Sequence, residues 1–152
     1  MEDLSQHILD VVENSLRHKA RLIEISLEED VEQDRLTLQI RDDGNGLDPQ
    51  ARARAADPFF TTRPGCRVGL GLPLLAQAAK EADGQFDIAS SPGAGTTVRA
   101  TFRRSHPDCK PLGDMFATLQ LLVVAHPEVG FVYEHRRGAE TVRLDTREVR
   151  QP

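Results

Sequence analysis

The sequence predicts an α+β two-layer sandwich, a mixed β-sheet with helices on one face. Two observations carry that prediction. Elements with helical or strand periodicity follow one another as helix, two strands, Gly-rich loop, helix, two strands. The apolar residues of each strand alternate with polar ones, so one sheet face is left to be covered by the helices.

The first helix is expected over 2–18, where Leu4, Ile8, Val11, Val12 and Ser15 fall on one face and Glu2, Asp3, Gln6 and Arg17 lie off it. Ile23, Ile25 and Leu27 then alternate with polar residues, as do Leu36, Leu38 and Ile40, with EEDVEQD as the polar connection between two strands. DDGNGLDP is a turn or loop, and Pro49 with the Ala/Arg run behind it suggests a short helix at about 49–56. A helix at about 70–82 places Leu70, Leu74, Leu75, Ala78 and Ala82 on one side, holds Pro73 in its first turn and is expected to end on Gly84 as its C-cap. Phe86 and Ile88, the turn SPGAGT, and Val98, Ala100 and Phe102 give two further strands.

The composition shifts near SHPDCKPLGD at 105–114. Beyond it, Met115, Leu119, Leu122 and Val123 mark a helix of about 113–125, and residues 130–145 read as a β-hairpin turning near Gly138. The expected division is a core domain at 1–104 and a C-terminal helix plus hairpin at 105–152, docked on that core and a candidate homodimer contact. The last five residues, EVRQP, are expected to fray.

Composition excludes several classes. A chain of 152 residues buries about 70% of its unfolded surface, enough for one real core. Nineteen Lys and Arg against 24 Asp and Glu leave a formal charge of −5, which argues against nucleic acid as a partner. No apolar run approaches a membrane span, and the acidic start MEDLSQHILD is unlike a signal peptide, so a cytoplasmic protein with no membrane partner is expected. Cys66 and Cys109 are far apart, and the five histidines lack metal-ligand spacing, so neither a disulfide nor structural zinc is expected.

Three glycine-bearing segments stand in order: DDGNG at 42–46, GCRVGLGL at 65–72 and SPGAGTT at 91–97. None is a P-loop or a dinucleotide fingerprint. With DVVENS at 10–15 and DPFFTT at 57–62, they make a series that resembles the GHKL superfamily of ATP-binding domains, the histidine kinase-like ATP-binding fold shared by histidine kinases, MutL proteins, gyrase and Hsp90. The resemblance covers about residues 4–103. DVVENS resembles the N box, DDGNG the G1 box, DPFFTT the F box, and GLGL at 69–72 with GAGT at 93–96 the G2 region and its sequel. DPFFTT with GLGL is most similar to histidine kinases, whereas ENSLRHKA followed by IEI is similar to the MutL version.

The resemblance implies ATP and Mg²⁺ as cofactors and assigns roles residue by residue. Asp42 is the acceptor for the exocyclic amine of adenine, because an ionised carboxylate accepts only. Thr96 helps it hold the base, and Gly44 and Gly46 let the backbone pass close to that base. Asn14 is the Mg²⁺ ligand through its amide oxygen, with phosphate oxygens and waters completing the octahedron. Arg17, one turn on, reaches phosphate. Phe60, Thr61 and Thr62 belong to the F box, and the segment from Thr61 to Val68 is the ATP lid, where Arg63 stands in place of the usual Lys and joins Arg67 toward the β- or γ-phosphate. Gly69, Leu70 and Gly71 open a helix whose free N–H groups favour anions.

Asp10 is the one candidate catalytic residue. It lies four residues before Asn14, on the same helical face, where ATP-hydrolysing branches carry a Glu as general base. Aspartate is one methylene shorter, which implies slow hydrolysis or none. Glu13 points about 100° away from Asn14. His7 lies on the ATP-fold helix itself, in a sequence unlike a phosphoacceptor box, and is expected to pack. With only about ten residues before the N box, no phosphoacceptor hairpin is expected. Three functions stay open: an ATP-dependent kinase-like regulator of an unidentified partner protein, a slow ATPase or nucleotide-operated switch, and a non-enzymatic module that binds ATP or ADP. The segment CKPLGDM at 109–115 is also similar to short ATP-binding proteins encoded beside iron-hydrogenase genes.

Overall fold

A computed structural model of the chain describes residues 3–46, 71–109 and 111–149. The expected helix at 49–56, the F box, the lid, Cys66, Gly69 and Leu70 lie outside those residues.

Helix α1 spans Leu4–Arg17. Asp3 caps it, its carboxylate accepting from the Gln6 N–H at 3.1 Å. Its stripe of Leu4, Ile8, Val11, Val12 and Ser15 is buried as the periodicity requires. Strands β1 (Leu22–Asp30) and β2 (Arg35–Asp42) form an antiparallel pair in which Ile25 faces Ile40 and Leu27 faces Leu38. Helix α2 (Gly71–Glu81) carries Pro73 in its first turn, where no intrahelical N–H is required. Strands β3 (Phe86–Ser90) and β4 (Thr96–Arg103) complete this part of the sheet, with β4 antiparallel to both β3 and β2. Helix α3 (Met115–Ala125), strands β5 (Gly130–Arg137) and β6 (Glu140–Asp145), and the short helix α4 (Thr146–Val149) follow.

The six strands form one sheet in the order β3-β4-β2-β1-β5-β6. The sheet is mixed, because β5 runs parallel to β1 while the other neighbours are antiparallel. Period two sorts the side chains. Ile23, Ile25, Leu27, Leu38, Ile40, Val98, Ala100, Phe102 and Phe131 share one face and pack with Leu4, Ile8, Val11, Val12 and Leu75 from the helices. The other face is polar, and Glu24 pairs with Arg41 and Glu134 with Arg143 across it. Truncating a fully buried aliphatic such as Ile8 to Ala costs about 2–5 kcal/mol, so the core tolerates little loss.

One expectation is corrected. Gly84 is not the left-handed cap of α2; Asp83 takes that conformation at φ 58°, and the Gly84 N–H bonds back to the Ala79 carbonyl at 2.7 Å. Gly84 is required for another reason, since a Cβ there would stand 1.5 Å from the Thr101 carbonyl oxygen. Of the five residues expected to fray, Glu148 and Val149 belong to α4, and 150–152 lie outside the described residues.

A strap over 104–113 ties β4 back to the start of α1. The first N–H groups of α1 have no intrahelical partner, and the strap supplies carbonyls: Leu4 bonds Pro111 at 2.8 Å and Ser5 bonds Leu112 at 3.0 Å. Gly113, at φ 82°, permits this approach, since a Cβ would stand 2.5 Å from the Asp3 carboxylate.

Candidate functional site

The site lies where β2 ends against α1. Asp42 is the last residue of β2 and sits on the core face, 8% exposed. Its Oδ2 accepts from the Ser15 hydroxyl at 2.6 Å and its Oδ1 from the Gly44 N–H at 2.9 Å. Both donors are neutral, so the carboxylate is oriented without being matched by a cation among the described residues. Each ionised oxygen has lone-pair capacity left for a further donor.

Thr96 is directly opposite Asp42 in the β2–β4 register, so the two side chains share a face. Thr96 is buried and lies 2.8 Å from the Ser90 hydroxyl. Ser90 gives its one proton to the Gly95 carbonyl at 2.9 Å. Thr96 is therefore the donor in the Ser90–Thr96 pair, and its oxygen keeps acceptor capacity. The result is an acceptor-rich floor suited to a ligand amine.

The loop after Asp42 is pinned rather than loosely draped. The Asp43 carboxylate accepts from the N–H groups of Arg21 at 2.8 Å and Leu22 at 3.0 Å. Burial alone would raise the Asp43 carboxyl, but those two N–H groups, its own backbone N–H and the nearby Arg21 charge together outweigh it and hold it below its ordinary value. The Asn45 N–H reaches the His18 carbonyl, and the Gly93 N–H reaches the Asn45 carbonyl, each at 2.7 Å. The glycines serve this stitching. A Cβ on Gly44 would stand 2.6 Å from the His18 carbonyl oxygen. One on Gly46, at φ 75°, would meet the Ser91 carbonyl oxygen at 2.0 Å, and one on Gly95 the Asp42 carbonyl oxygen at 2.1 Å.

On α1, Asp10 and Asn14 are both half-buried and one turn apart, while Glu13 and Arg17 are exposed. Asn14 immediately precedes Ser15, so the residue that orients Asp42 and the expected metal ligand are neighbours on one helix. His7 is buried, 3% exposed, as a packing residue would be. Gly71 opens α2. Phe60, Thr61, Thr62, Arg63, Arg67, Gly69 and Leu70 lie outside the described residues. The structure thus brings Asp42, Gly44, Gly46 and Thr96 together beside α1. Among the described residues no group of His, Cys, Asp and Glu is arranged to hold a metal by itself.

Ser15, which orients Asp42, is the residue of this cluster that sequence reasoning missed. Its spacing places it in the buried stripe of α1 and nothing more, and a hydroxyl in an otherwise apolar stripe was the available signal.

The family described as "Histidine kinase-, DNA gyrase B-, and HSP90-like ATPase" is matched over residues 1–106. Similar curated proteins include the sensor histidine kinase YxdK of Bacillus subtilis (strain 168), 34% identical over 97 residues, which are 60% of this chain and 30% of that protein. The sensor protein kinase PilS of Pseudomonas aeruginosa is 31% identical over 109 residues, 68% of this chain and 20% of its own length. The sensor histidine kinase CpxA of Escherichia coli (strain K12) is 30% identical over 97 residues, 60% of this chain and 21% of its own. The chain therefore spans less than a third of each of these relatives. Among solved structures, the Aquifex aeolicus MutL ATPase domain complexed with ADP matches 95% of this chain and 64% of that one. The TM-score is 0.56 at 17% identity, a likeness of fold.

Proposed function

The chain belongs to the histidine kinase-, DNA gyrase B- and HSP90-like ATPase family, and on that premise we propose that it is a Mg²⁺–ATP-binding, kinase-like regulator of a partner protein. The observation that carries the reading is the Asp42 carboxylate, buried at the end of β2 and held by Ser15 and Gly44 with no cation beside it among the described residues. Such a group suits the exocyclic amine of adenine, and Thr96 beside it adds a second acceptor. Asn14 would hold Mg²⁺ at the phosphate end, Arg17 would reach phosphate from the last turn of α1, and the lid residues Arg63 and Arg67 would meet the outer phosphates. Bound Mg²⁺ supplies charge neutralisation for the phosphate oxygens. The chain's own residues bind the base, orient the nucleotide and set which end faces a partner.

In this reading residues 1–104 are the nucleotide-binding part and 105–152 an extension on the same sheet that also offers a contact for a second copy. The protein acts in the cytoplasm, and no helix of the described residues is long and apolar enough to cross a membrane. The phosphoacceptor is supplied by the partner, because His7 is buried on α1.

A second reading, slow ATP hydrolysis or a nucleotide-operated switch, is favoured by Asp10, which is half-buried one turn before Asn14. A misplacement of about 1 Å in a water-activating group costs on the order of a hundredfold in rate, so the shorter Asp arm implies weak basal activity. Incubation with γ-labelled ATP, alone and with lysate, separates the readings. Label on a partner protein supports the regulator, free phosphate that rises in Asp10→Glu supports the ATPase, and neither signal supports a binding module.

A further inference from the structure

The sheet sets three polar residues of the site in one row on its core face. Ser90 is opposite Thr96 in the β3–β4 register, and Thr96 is opposite Asp42 in the β4–β2 register. Residues directly opposite each other share a face, so Ser90, Thr96 and Asp42 stand side by side in that order. Asp42 and Thr96 are buried, and Ser90 is half-buried at the outer end of the row.

The protons along this row can be assigned one by one. The Ser90 hydroxyl lies 2.9 Å from the Gly95 carbonyl oxygen and 2.8 Å from the Thr96 hydroxyl oxygen. A carbonyl only accepts, so the single Ser90 proton goes to Gly95 and the single Thr96 proton goes to Ser90. The relay therefore runs one way, from Thr96 through Ser90 to a carbonyl, and each bond polarises the next. The backbone fixes where it ends. Gly95 is at φ 77°, and a Cβ there would stand 2.1 Å from the Asp42 carbonyl oxygen, so the turn after β3 presses against the end of β2. The Ala94 N–H bonds the Ser91 carbonyl at 3.0 Å and the Gly93 N–H bonds the Asn45 carbonyl at 2.7 Å, which hold the turn there.

A threonine hydroxyl with no partner rotates, and meets a donor or an acceptor alike. Thr96 has lost that choice, because its proton is committed to Ser90. Toward a ligand it offers an oxygen, as the Asp42 carboxylate beside it does.

We propose that Ser90 is a positioning residue that sets base selectivity. By taking the Thr96 proton it makes the floor of the site accept only, which admits a purine with an exocyclic amine and rejects one with a carbonyl at the same place. This rests on the reading above that the site holds the base of ATP. A primary amine carries two protons, one for Asp42 and one for Thr96. A 6-oxo base brings an oxygen and no proton to that place, so both acceptors lose water without gaining a partner. Selectivity of this kind comes from the penalty on the wrong ligand. Asp42 supplies one part of the penalty by its own chemistry. Thr96 supplies the other only while Ser90 holds its proton, since a released hydroxyl would turn to the carbonyl and donate to it.

Calorimetry of ATP and of inosine triphosphate against the full chain tests this, with the ratio of the two affinities as the readout. Ser90→Ala should lower the preference for ATP by about fivefold, chiefly through tighter binding of inosine triphosphate. Ser90→Cys, close in size but a weak hydrogen-bonding group, should move the ratio the same way by less. Ser90→Thr, which keeps a hydroxyl, should hold the wild-type ratio. In a Thr96→Val background Ser90→Ala should not change the ratio further, because Ser90 acts through Thr96. A merely structural Ser90 would weaken both nucleotides together and leave the ratio fixed, which overturns the proposal. A Ser90→Ala effect that survives in Thr96→Val overturns it as well. A wild-type protein that binds neither nucleotide overturns the reading of the site itself, whereas one that binds ATP with a ratio indifferent to Ser90 overturns only the role of Ser90.

Discussion

Two carboxylates stand on the core face at opposite ends of the β1–β2 pair, and their partners set them apart. Asp42 is held by a serine hydroxyl and a glycine N–H. Glu29, roughly 20 Å away along the strands, is held by the Arg104 guanidinium at 3.1 Å and by His135 Nε2 at 2.8 Å. Arg104 belongs to the strap and His135 to β5, so Glu29 ties the start of the strap and one strand of the C-terminal extension to β1. Its capacity is used within the protein. Asp42 is oriented equally well, yet its charge has no cation beside it among the described residues. In the function proposed above, that difference separates a structural carboxylate from one that takes a ligand, and it is read from the partners rather than from burial.

The sharpest way to break the comparison is at Asp42. Loss of a hydrogen bond to a charged group costs about 1.5–3 kcal/mol, so Asp42→Asn should weaken ATP by about ten- to a hundredfold in calorimetry while the unliganded melting temperature changes little. The next effect in size is at the phosphate end. Asn14→Ala should weaken Mg²⁺–ATP by about tenfold and leave metal-free adenosine nearly unchanged; equal loss of both ligands would make Asn14 structural.

At the other end the readouts should exchange. Glu29→Ala should leave ATP affinity within about twofold and lower unfolding free energy by about 1–3 kcal/mol in urea, because Arg104 and His135 lose their partner. A variant with intact stability and lost ATP binding would reverse the assignment of the two carboxylates.

The smallest effect is a pH dependence. Burial alone would raise the Glu29 carboxyl, but the hydrogen bonds and charges of His135 and Arg104 together outweigh it and hold the group below 4.5. Its contribution is complete above 4.5 and is lost as pH falls through the folded value. Asp145 adds a second window. Hydrogen bonds from Arg147 pull it from 3.8 to about 2, so its contribution is present above 3.8 and is lost as pH falls toward 2. Urea midpoints across this range should decline, with Glu29→Gln flattening the upper part and Asp145→Asn the lower part. Parallel curves for wild type and both variants would remove the link.

The same contrast explains what was legible in the sequence. Local signals located α1, β1, β2, α2, β3 and β4, because period 3.6 and period two act over a few residues. Asp42 and Thr96 were legible as parts of glycine-bearing segments. The bond from Ser15 to Asp42 spans 27 residues and was not. Glu29 was hidden for the same reason, with partners 75 and 106 residues away. The hairpin of β5 and β6 announced itself through alternation and Gly138, but nothing local to it says that β5 lies parallel to β1. Gly84 was misread because helix ends favour glycine, whereas here the Thr101 carbonyl demands the missing side chain and Asp83 takes the left-handed turn.

The central claim is that Asp42 reads a donor on the base. Titration calorimetry of ATP and of inosine triphosphate, in which a carbonyl replaces the exocyclic amine, against wild type and Asp42→Asn tests it most directly. Wild type should prefer ATP by at least about tenfold, because the carbonyl would face a carboxylate. In Asp42→Asn, which offers an amide donor at the same place, that preference should vanish or reverse. An unchanged ratio of the two affinities in both proteins would contradict the account.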